Sequence, residues 1–528
     1  MSSSSSSDFE NRLIHSSRFK HIESPHYYLD ENLHENKIDE QATNASEINV
    51  TSPQSSKLIK PIKSIWSKNG RRYLIAVSVV LALFVIALVF VITSTKLLND
   101  PVKEGAKVEK LTNIKYQQLK AIRTNLIDHD TSRDEYSKSH NWQLVFSDEF
   151  NKENRTFGEH EDQFFTAVDL HYRATQDLEY YLPHMATTKN GSLVITFDKF
   201  NHSNLQYVSA MLQSWNKLCF NKQARIEVRA KLPPDVQYGL WPAVWSLGNL
   251  ARPGYLATTD GLWPYTYNDC DLGITRNQST LNENMSYLPG QRLSVCTCFG
   301  EDHPNTGVGR GAPEIDIIEG LFEHGRVVGV QTVQVAPFDE WWRPDYDYVD
   351  INNKNVTYIR EDVGTIYQES ISLATILKSD GFVEFAMEYR SLPSGHGYVK
   401  FEMNGVSMFT INETALRANG LIGSRQITKE PMSIIFNMGL SKIWNPKLQI
   451  DKLQFPAKFY IDYIRVYQPL DAMDLTCDPE GFPTSSYIES HLNAYLDWEL
   501  DTWSDAGYQF PQNSLESKCR SPSVFGSG

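Results

Sequence analysis

"APEIDIIEG", residues 312–320, sets three carboxylates, Glu314, Asp316 and Glu319, within six positions of a stretch that is otherwise mostly apolar. On a helix these offsets scatter the acids around the cylinder and give Ile315, Ile317 and Ile318 no common face. A strand sends Glu314 and Asp316 to one side and Ile315 and Ile317 to the other, but strict alternation then turns Glu319 away from its partners. One extra residue at Ile317 and Ile318, a β-bulge, brings Glu319 back. At a rise of ~3.3 Å per residue with one residue absorbed, Glu314 and Glu319 start roughly 13 Å apart, and inward-leaning side chains approach the ~5–5.5 Å of a retaining glycosidase pair. A carboxylate between two others disfavours ionisation of the whole group, so one outer Glu is expected to hold a proton near neutral pH. The competing reading is an acidic strand that faces solvent or calcium.

The surrounding chain suits a strand. From residue 141, short runs rich in Val, Ile, Phe, Tyr and Trp alternate with Gly, Pro, Asn and Asp: "WQLVFSDEF" (142–150), "GSLVITFDKF" (191–200), "ARIEVRAKL" (224–232), "GRVVGVQTVQV" (325–335), "GFVEFAMEY" (381–389), "MSIIFNMG" (432–439) and "KFYIDYIRVYQ" (458–468). Helical patterns do not alternate with them, which predicts a mainly β, antiparallel sandwich or barrel over 141–469. Residues 249–312 are rich in Gly, Pro and Asn and hold three of the six cysteines, and read as a long disulfide-stapled loop insertion beside the acids. Residues 470–528 read as an extension wrapping back on the sandwich.

Tyr73 to Ile92 form an almost unbroken apolar run, about the ~20 residues that cross a bilayer as a helix. Lys57, Lys60, Lys63, Lys68, Arg71 and Arg72 precede it without an acid among them, so the bias of positive charge leaves residues 1–72 as a polar, disordered cytosolic tail. A stalk (93–140) and the sandwich then lie in the lumen of the secretory pathway or outside the cell, as in a single-pass type II membrane protein. Cys219, Cys270, Cys296, Cys298, Cys477 and Cys519 all follow the span, as an oxidising compartment allows, and fifteen pairings are open to them. Glycosylation sequons follow it at Asn154, Asn190, Asn201, Asn277, Asn284, Asn355 and Asn412. Cys-x-x-Cys spacing is absent, so neither a metal nor a cofactor is expected, and a net charge of −14 argues against nucleic acid.

"PEIDIIEG" resembles the active-site strand of family 16 glycoside hydrolases, β-jelly-roll enzymes acting on β-glucans. That resemblance implies Glu314 as nucleophile, Glu319 as general acid/base and Asp316 as the residue that tunes the nucleophile. "LVFSDEFN" (144–151), "ARIEVRAKLP" (224–233), "GLWPAVWSLG" (239–248) and "YIDYIRVYQ" (460–468) extend the likeness across 141–469. "MLQSWNKLCF" (211–220), "YLPGQRLSVCTC" (287–298), the tail, the span and the C-terminal extension are similar to the fungal β-glucan synthesis-associated membrane proteins, which implies a place in cell-wall β-1,6-glucan assembly beside other wall-building proteins. One departure stands out: many hydrolases of the wider family carry a His on the strand after the catalytic one, where this chain has Gln331 and Gln334.

A glucan cleft needs flat apolar plates and hydrogen-bonding side chains. Candidates for sugar contact are Trp215, Trp241, Trp245, Trp263, Trp341, Trp342, Trp444, Gln334 and Asn437. Two other functions compete. A glycan-binding scaffold would keep the cleft without the chemistry, and a nucleotide-sugar glycosyltransferase would use "DYD" (345–347) to hold a metal, although the β-rich pattern disfavours it.

Overall fold

The computed structural model describes residues 126–132, 142–271, 290–337, 344–360, 369–377, 381–392, 395–418, 422–516 and 519. All of them lie in one compact unit, Thr93–Gly528. The tail, the 73–92 run and nearly all of the stalk, together with Asn277, Asn284, Trp341 and Trp342, fall outside the described residues. Among the described residues no helix is long and apolar enough to cross a membrane.

The strands are β1 (Trp142–Asp148), β2 (Thr166–Ala167), β3 (Glu179–Tyr181), β4 (Ala186–Thr188), β5 (Leu193–Phe197), β6 (Tyr207–Ser209), β7 (Met211–Gln213), β8 (Gln223–Lys231), β9 (Trp241–Gly248) and β10 (Glu314–Glu323). They continue with β11 (Arg326–Val335), β12 (Val349–Ile351), β13 (Thr357–Ile359), β14 (Glu369–Ile376), β15 (Val383–Arg390), β16 (Tyr398–Met403), β17 (Val406–Asn412), β18 (Met432–Gly439) and β19 (Ala457–Pro469). One sheet runs β12-β17-β16-β15-β8-β19-β5-β4, with β1 also on β19, and the other runs β13-β14-β11-β10-β9-β18-β7-β2. Every pairing in these two sheets is antiparallel.

Alternation explains how the sheets stack. In β8, Ala224, Ile226, Val228 and Ala230 enter the main core while Arg225, Glu227 and Arg229 take the other face. In β19, Phe459 and Ile461 point inward. A register shift between Ile461 and Tyr463 then lets Ile464 and Val466 rejoin them. From the second sheet Val244, Ile315, Ile317, Ile318, Val333, Leu373, Ile434 and Phe436 complete this core. The observed architecture is therefore a two-layer antiparallel sandwich.

A second core covers the opposite face of the β9–β10–β18 sheet. Ala243, Trp245, Leu247 and Ile435 meet Leu250, Ala251, Tyr255, Leu262, Leu293 and Ala312 from the loop between β9 and β10. Tyr487, Ile488, Ala494, Tyr495 and Trp503 join them from the C-terminal segment, which carries α2 (Ser485–Ser490) and α3 (Leu492–Leu496); α1 (Leu256–Thr259) lies in the loop. Disulfides join Cys219 to Cys477, Cys270 to Cys296 and Cys298 to Cys519, so all six cysteines are paired. Loop and tail have little regular structure of their own, and each closes the other's apolar surface while two bridges fasten the tail.

Candidate active site

The site is built on the irregularity in β10. Against β11, Glu314, Asp316 and Glu319 pair with Gln334, Thr332 and Val330, with a register shift between Asp316 and Glu319. Against β9 the shift recurs between Asp316 and Ile318. Ile315, Ile317 and Ile318 all enter the main core, so the three acids emerge together on the other face. The bulge arises because both isoleucines at 317 and 318 can be buried only if one residue is left out of the ladder. Its freed carbonyl does not go unpaired: the buried amide Gln331 Nε2 donates to Ile317 O at 2.9 Å. Gly320 follows because β9 approaches closely. A Cβ there would stand 2.8 Å from Pro242 Cγ.

Each acid has its own partners. Glu314, half-buried at the start of β10, accepts from Trp263 Nε1 at 2.6 Å on one oxygen and from Gln334 Nε2 at 2.6 Å on the other. Gln334 Nε2 also donates to Asp316 Oδ2 at 3.1 Å. Glu319 accepts from Trp241 Nε1 at 3.0 Å. The Trp241 ring lies flat on Trp444, with centroids 4.6 Å apart and planes 8° from parallel, and Trp444 Nε1 reaches Gly320 O. This stack fixes the indole that holds Glu319.

The electrostatics follow from burial. Desolvation raises all three carboxyls: Asp316 to about 7, and Glu314 and Glu319 well above the usual glutamate range, with the Asp316 charge raising both further. Glu314 and Asp316 therefore share a proton. The bond between them raises Glu314 and lowers Asp316, which favours the proton on Glu314, while the two short N–H bonds to Glu314 are placed to hold it as an anion once the proton passes to Asp316. Glu319, held by a single indole, keeps its own proton.

This arrangement predicts a pH-dependent cost. Unfolded Asp316 ionises near 3.8 and folded Asp316 near 7. The native state thus binds an extra proton between these values, and its stability from this group falls as pH rises through that window. Asp316→Asn is expected to leave stability unchanged near pH 4 and to raise it by about 2–3 kcal/mol at pH 8, read as the mutant-minus-wild-type difference in urea midpoint at each pH. Gln331→Leu is expected to cost about 1–3 kcal/mol at every pH, because it strands a buried carbonyl. The same denaturation series measures it.

A second polar chain runs beneath the aromatic wall. Trp245 Nε1 donates to Asn437 Oδ1 at 2.8 Å, Asn437 Nδ2 donates to the Tyr181 hydroxyl at 3.1 Å, and that hydroxyl donates to Asp177 Oδ2 at 2.9 Å. Glu179 Oε1 lies beside Asp177 Oδ2 over Gly439. Burial pushes Asp177 up to about 6, and burial and then Asp177 push Glu179 well above its usual range, so this pair also keeps a proton. Tyr172 packs edge-on to Tyr181, and its hydroxyl is raised by burial and then by Glu314, Asp177 and Asp316, which places it between the two acid groups.

The sequence profile of the beta-glucan synthesis-associated protein SKN1/KRE6/Sbg1 family matches residues 29–519. The chain belongs to that family. KRE6 of Saccharomyces cerevisiae is 46% identical over 462 residues, covering 84% of this chain and 64% of the relative. SKN1 of the same yeast is 48% identical over 429 residues, covering 78% and 55%. The chain thus spans only between 55% and 64% of the length of these two relatives. Among solved structures, the laminarinase catalytic domain from Thermotoga maritima superposes with a TM-score of 0.38 and 23% identity, covering 62% of this chain and 99% of that one.

Within this SKN1/KRE6 family member, the sugar-contact candidates separate. Trp241, Trp245, Trp263, Trp444, Gln334 and Asn437 all belong to the acid site or its supporting chain. Trp215 does not. Its Nε1 donates to Asn249 O, its ring stacks on Tyr495 and the Arg252 guanidinium covers it, so it fastens the C-terminal segment to the loop. Trp341 lies outside the described residues. Asp345 of "DYD" is engaged by Arg417 and by the Asp347 amide. Among the described residues the acids and histidines able to surround an ion are Asp128, His129 and Asp130. Asn154, Asn190, Asn201 and Asn355 are exposed, whereas the Asn412 amide is engaged with Tyr348 O and Asp350. Tyr172, Asp177, Glu179 and Tyr181 were not legible as site residues, because tyrosines and acids of "HYRATQDLEYY" read equally well as an ordinary strand and turn.

Proposed function

We propose that this protein is a retaining β-glucan glycosidase or transglycosylase, anchored in a secretory membrane by residues 73–92 with its sandwich in the lumen, and that it serves cell-wall β-1,6-glucan assembly. One observation carries the chemical part: Glu314, Asp316 and Glu319 emerge on one face across the bulge, the first gripped by two N–H donors and the last by the Trp241 indole. Glu314 attacks the anomeric carbon as the glycosidic bond breaks, and Glu319 gives its proton to the departing oxygen. An incoming sugar hydroxyl or water then gives its proton back to Glu319, attacks the same carbon and releases Glu314. For Glu314 to attack, the proton it shares with Asp316 sits on Asp316. The names of the yeast relatives, beta-glucan synthesis-associated proteins, support glucan as the substrate class. Membrane and lumenal placement rest on the apolar run, its basic flank and the three disulfides.

The deciding experiment incubates the full chain with defined β-1,3 and β-1,6 glucan oligomers and resolves the products by mass. Shorter and longer oligomers arising together support transfer, and shorter ones alone support hydrolysis. Binding without any product, and no covalent adduct with a fluorosugar donor, leaves only a glycan-binding scaffold. A requirement for manganese and a sugar nucleotide would turn the reading to a glycosyltransferase, for which the antiparallel sheets give no support.

A further inference from the structure

The row of residues that carries Asp316 across the sheet ends in a cation. Asp316 pairs with Thr332 on β11 and Thr332 with Ser372 on β14, and just past β13 the Arg360 amide donates to Ser372 O at 2.9 Å. Leu373 enters the main core, so Ser372 turns to the acid face, where its hydroxyl meets that of Thr332 at 2.9 Å. Arg360, in register with Ser372, starts on that same face. Its side chain runs back to β10: Nε stands 3.4 Å from Glu323 Oε1, and Cζ lies 5.8 Å from the ring centre of Trp444. Trp444 is the plate on which Trp241, the donor to Glu319, is stacked. Glu323 Oε1 accepts from the Tyr358 hydroxyl at 2.7 Å, and Arg360 Nε is buried without a hydrogen bond among the described residues, so Glu323 meets the guanidinium only loosely. Burial and then the Asp316 charge raise the Glu319 carboxyl, while the Trp241 bond and then the Arg360 charge lower it.

The glycosidase reading above, on which this inference rests, moves one negative charge across the site. Before the reaction Glu314 and Asp316 hold one charge and one proton between them, and Glu319 is neutral. Bond formation to the anomeric carbon turns the attacking Glu314 carboxylate into a neutral ester, Asp316 keeps the shared proton, and Glu319 loses its own to the departing oxygen. The charge has then left Glu314 and appeared on Glu319, with the net charge unchanged. A fixed cation on the Glu319 side interacts more strongly as that charge arrives, so it lowers the barrier instead of only tightening binding. We propose that Arg360 is that cation, a positioning residue that acts through Glu319 by stabilising the charge passed to it. The groups facing Glu319 are Glu314 and Asp316 from its own strand, the Trp241 indole from β9 and Arg360. Glu323 and Tyr358 stand behind Arg360. A guanidinium suits the place because it neither gives nor takes a proton at any working pH.

The test gives the full chain and its Arg360→Met and Arg360→Lys variants two kinds of donor. Arg360→Met is expected to lower turnover of unactivated glucan oligomers by about tenfold, yet to slow formation of the covalent intermediate from dinitrophenyl donors by less than about twofold, because that leaving group takes no proton. The alkaline limb of kcat/KM for the oligomers is expected to move to higher pH by at least about half a unit, since Glu319 without the cation keeps its proton longer. Arg360→Lys retains the charge and is expected to restore most of both. Equal losses with the two donors, an unmoved limb, or a lysine variant no better than the methionine one would show a structural role alone and overturn the assignment. Urea unfolding of the wild type, Arg360→Met, Glu319→Gln and the double variant gives a readout independent of turnover. The shifts in midpoint are expected to add at pH 5, where Glu319 is neutral, and to depart from additivity at pH 9. Additivity at both pH values overturns the assignment. Failure of the wild type to turn over any donor refutes the glycosidase reading, and the unfolding cycle still decides whether Arg360 acts on the charge of Glu319.

Discussion

Glu319→Gln is expected to lower turnover of unactivated glucan oligomers by ~10³-fold or more, yet to slow formation of the covalent intermediate from dinitrophenyl donors by less than about tenfold. Dinitrophenolate leaves without a proton, so the missing acid matters only where the leaving oxygen is basic. Glu314→Gln removes the proposed nucleophile and is expected to abolish both reactions, on the order of 10⁴-fold or more. Intact-protein mass after mixing with each donor, followed by product analysis, separates the two variants. The opposite pattern, with Glu314→Gln sensitive to the leaving group and Glu319→Gln not, would exchange the assigned roles. Both side chains keep their indole partners as amides only in part, because Trp263 and Trp241 donate and the new –NH₂ cannot accept. Melting curves of the two variants should accompany the kinetics.

Glu430→Ala is expected to cost about 3–5 kcal/mol of stability. Arg310 is fully buried, and its Nε and Nη2 donate to the two oxygens of Glu430 at 2.8 and 2.7 Å. Its Nη1 reaches Asn305 Oδ1 and Pro483 O, and Glu430 Oε1 also accepts from the Gly311 amide. One guanidinium thus joins the β9–β10 loop, the approach to β18 and the C-terminal segment, a few residues before Glu314. Removing Glu430 strands a buried cation, whereas Arg310→Met with Glu430→Met removes both charges and is expected to recover most of the loss. Urea unfolding of the single and double variants measures it. A double variant no more stable than the single one would show that the pair's geometry, not its charge balance, holds the loop.

The acids, the bulge and the antiparallel sheets were legible in the sequence because each rests on local periodicity. Isoleucines at 315, 317 and 318 can share a core only if the strand skips a step, and that skip carries Glu319 to the side of Glu314. The even cysteine count foretold a fully paired set but not its connectivity, since pairing depends on which distant segments meet. Tryptophans showed the same limit. Trp241 and Trp215 are both large, half-buried indoles in β-rich surroundings, yet one grips Glu319 and the other fastens the tail.

By itself, then, the order of residues determined a bulged acidic strand within an antiparallel sandwich, since alternation and burial act over a few neighbours. Only the folded chain decided what surrounds the acids: Trp263 from the loop, Gln334 from β11 and the Trp241–Trp444 stack from β9 and the turn after β18. Those contacts join residues as far as 203 positions apart, between Trp241 and Trp444. The ionisation of Glu314 and Asp316 depends on them, because ionisation in a dry site is set by the donors and charges within a few ångströms.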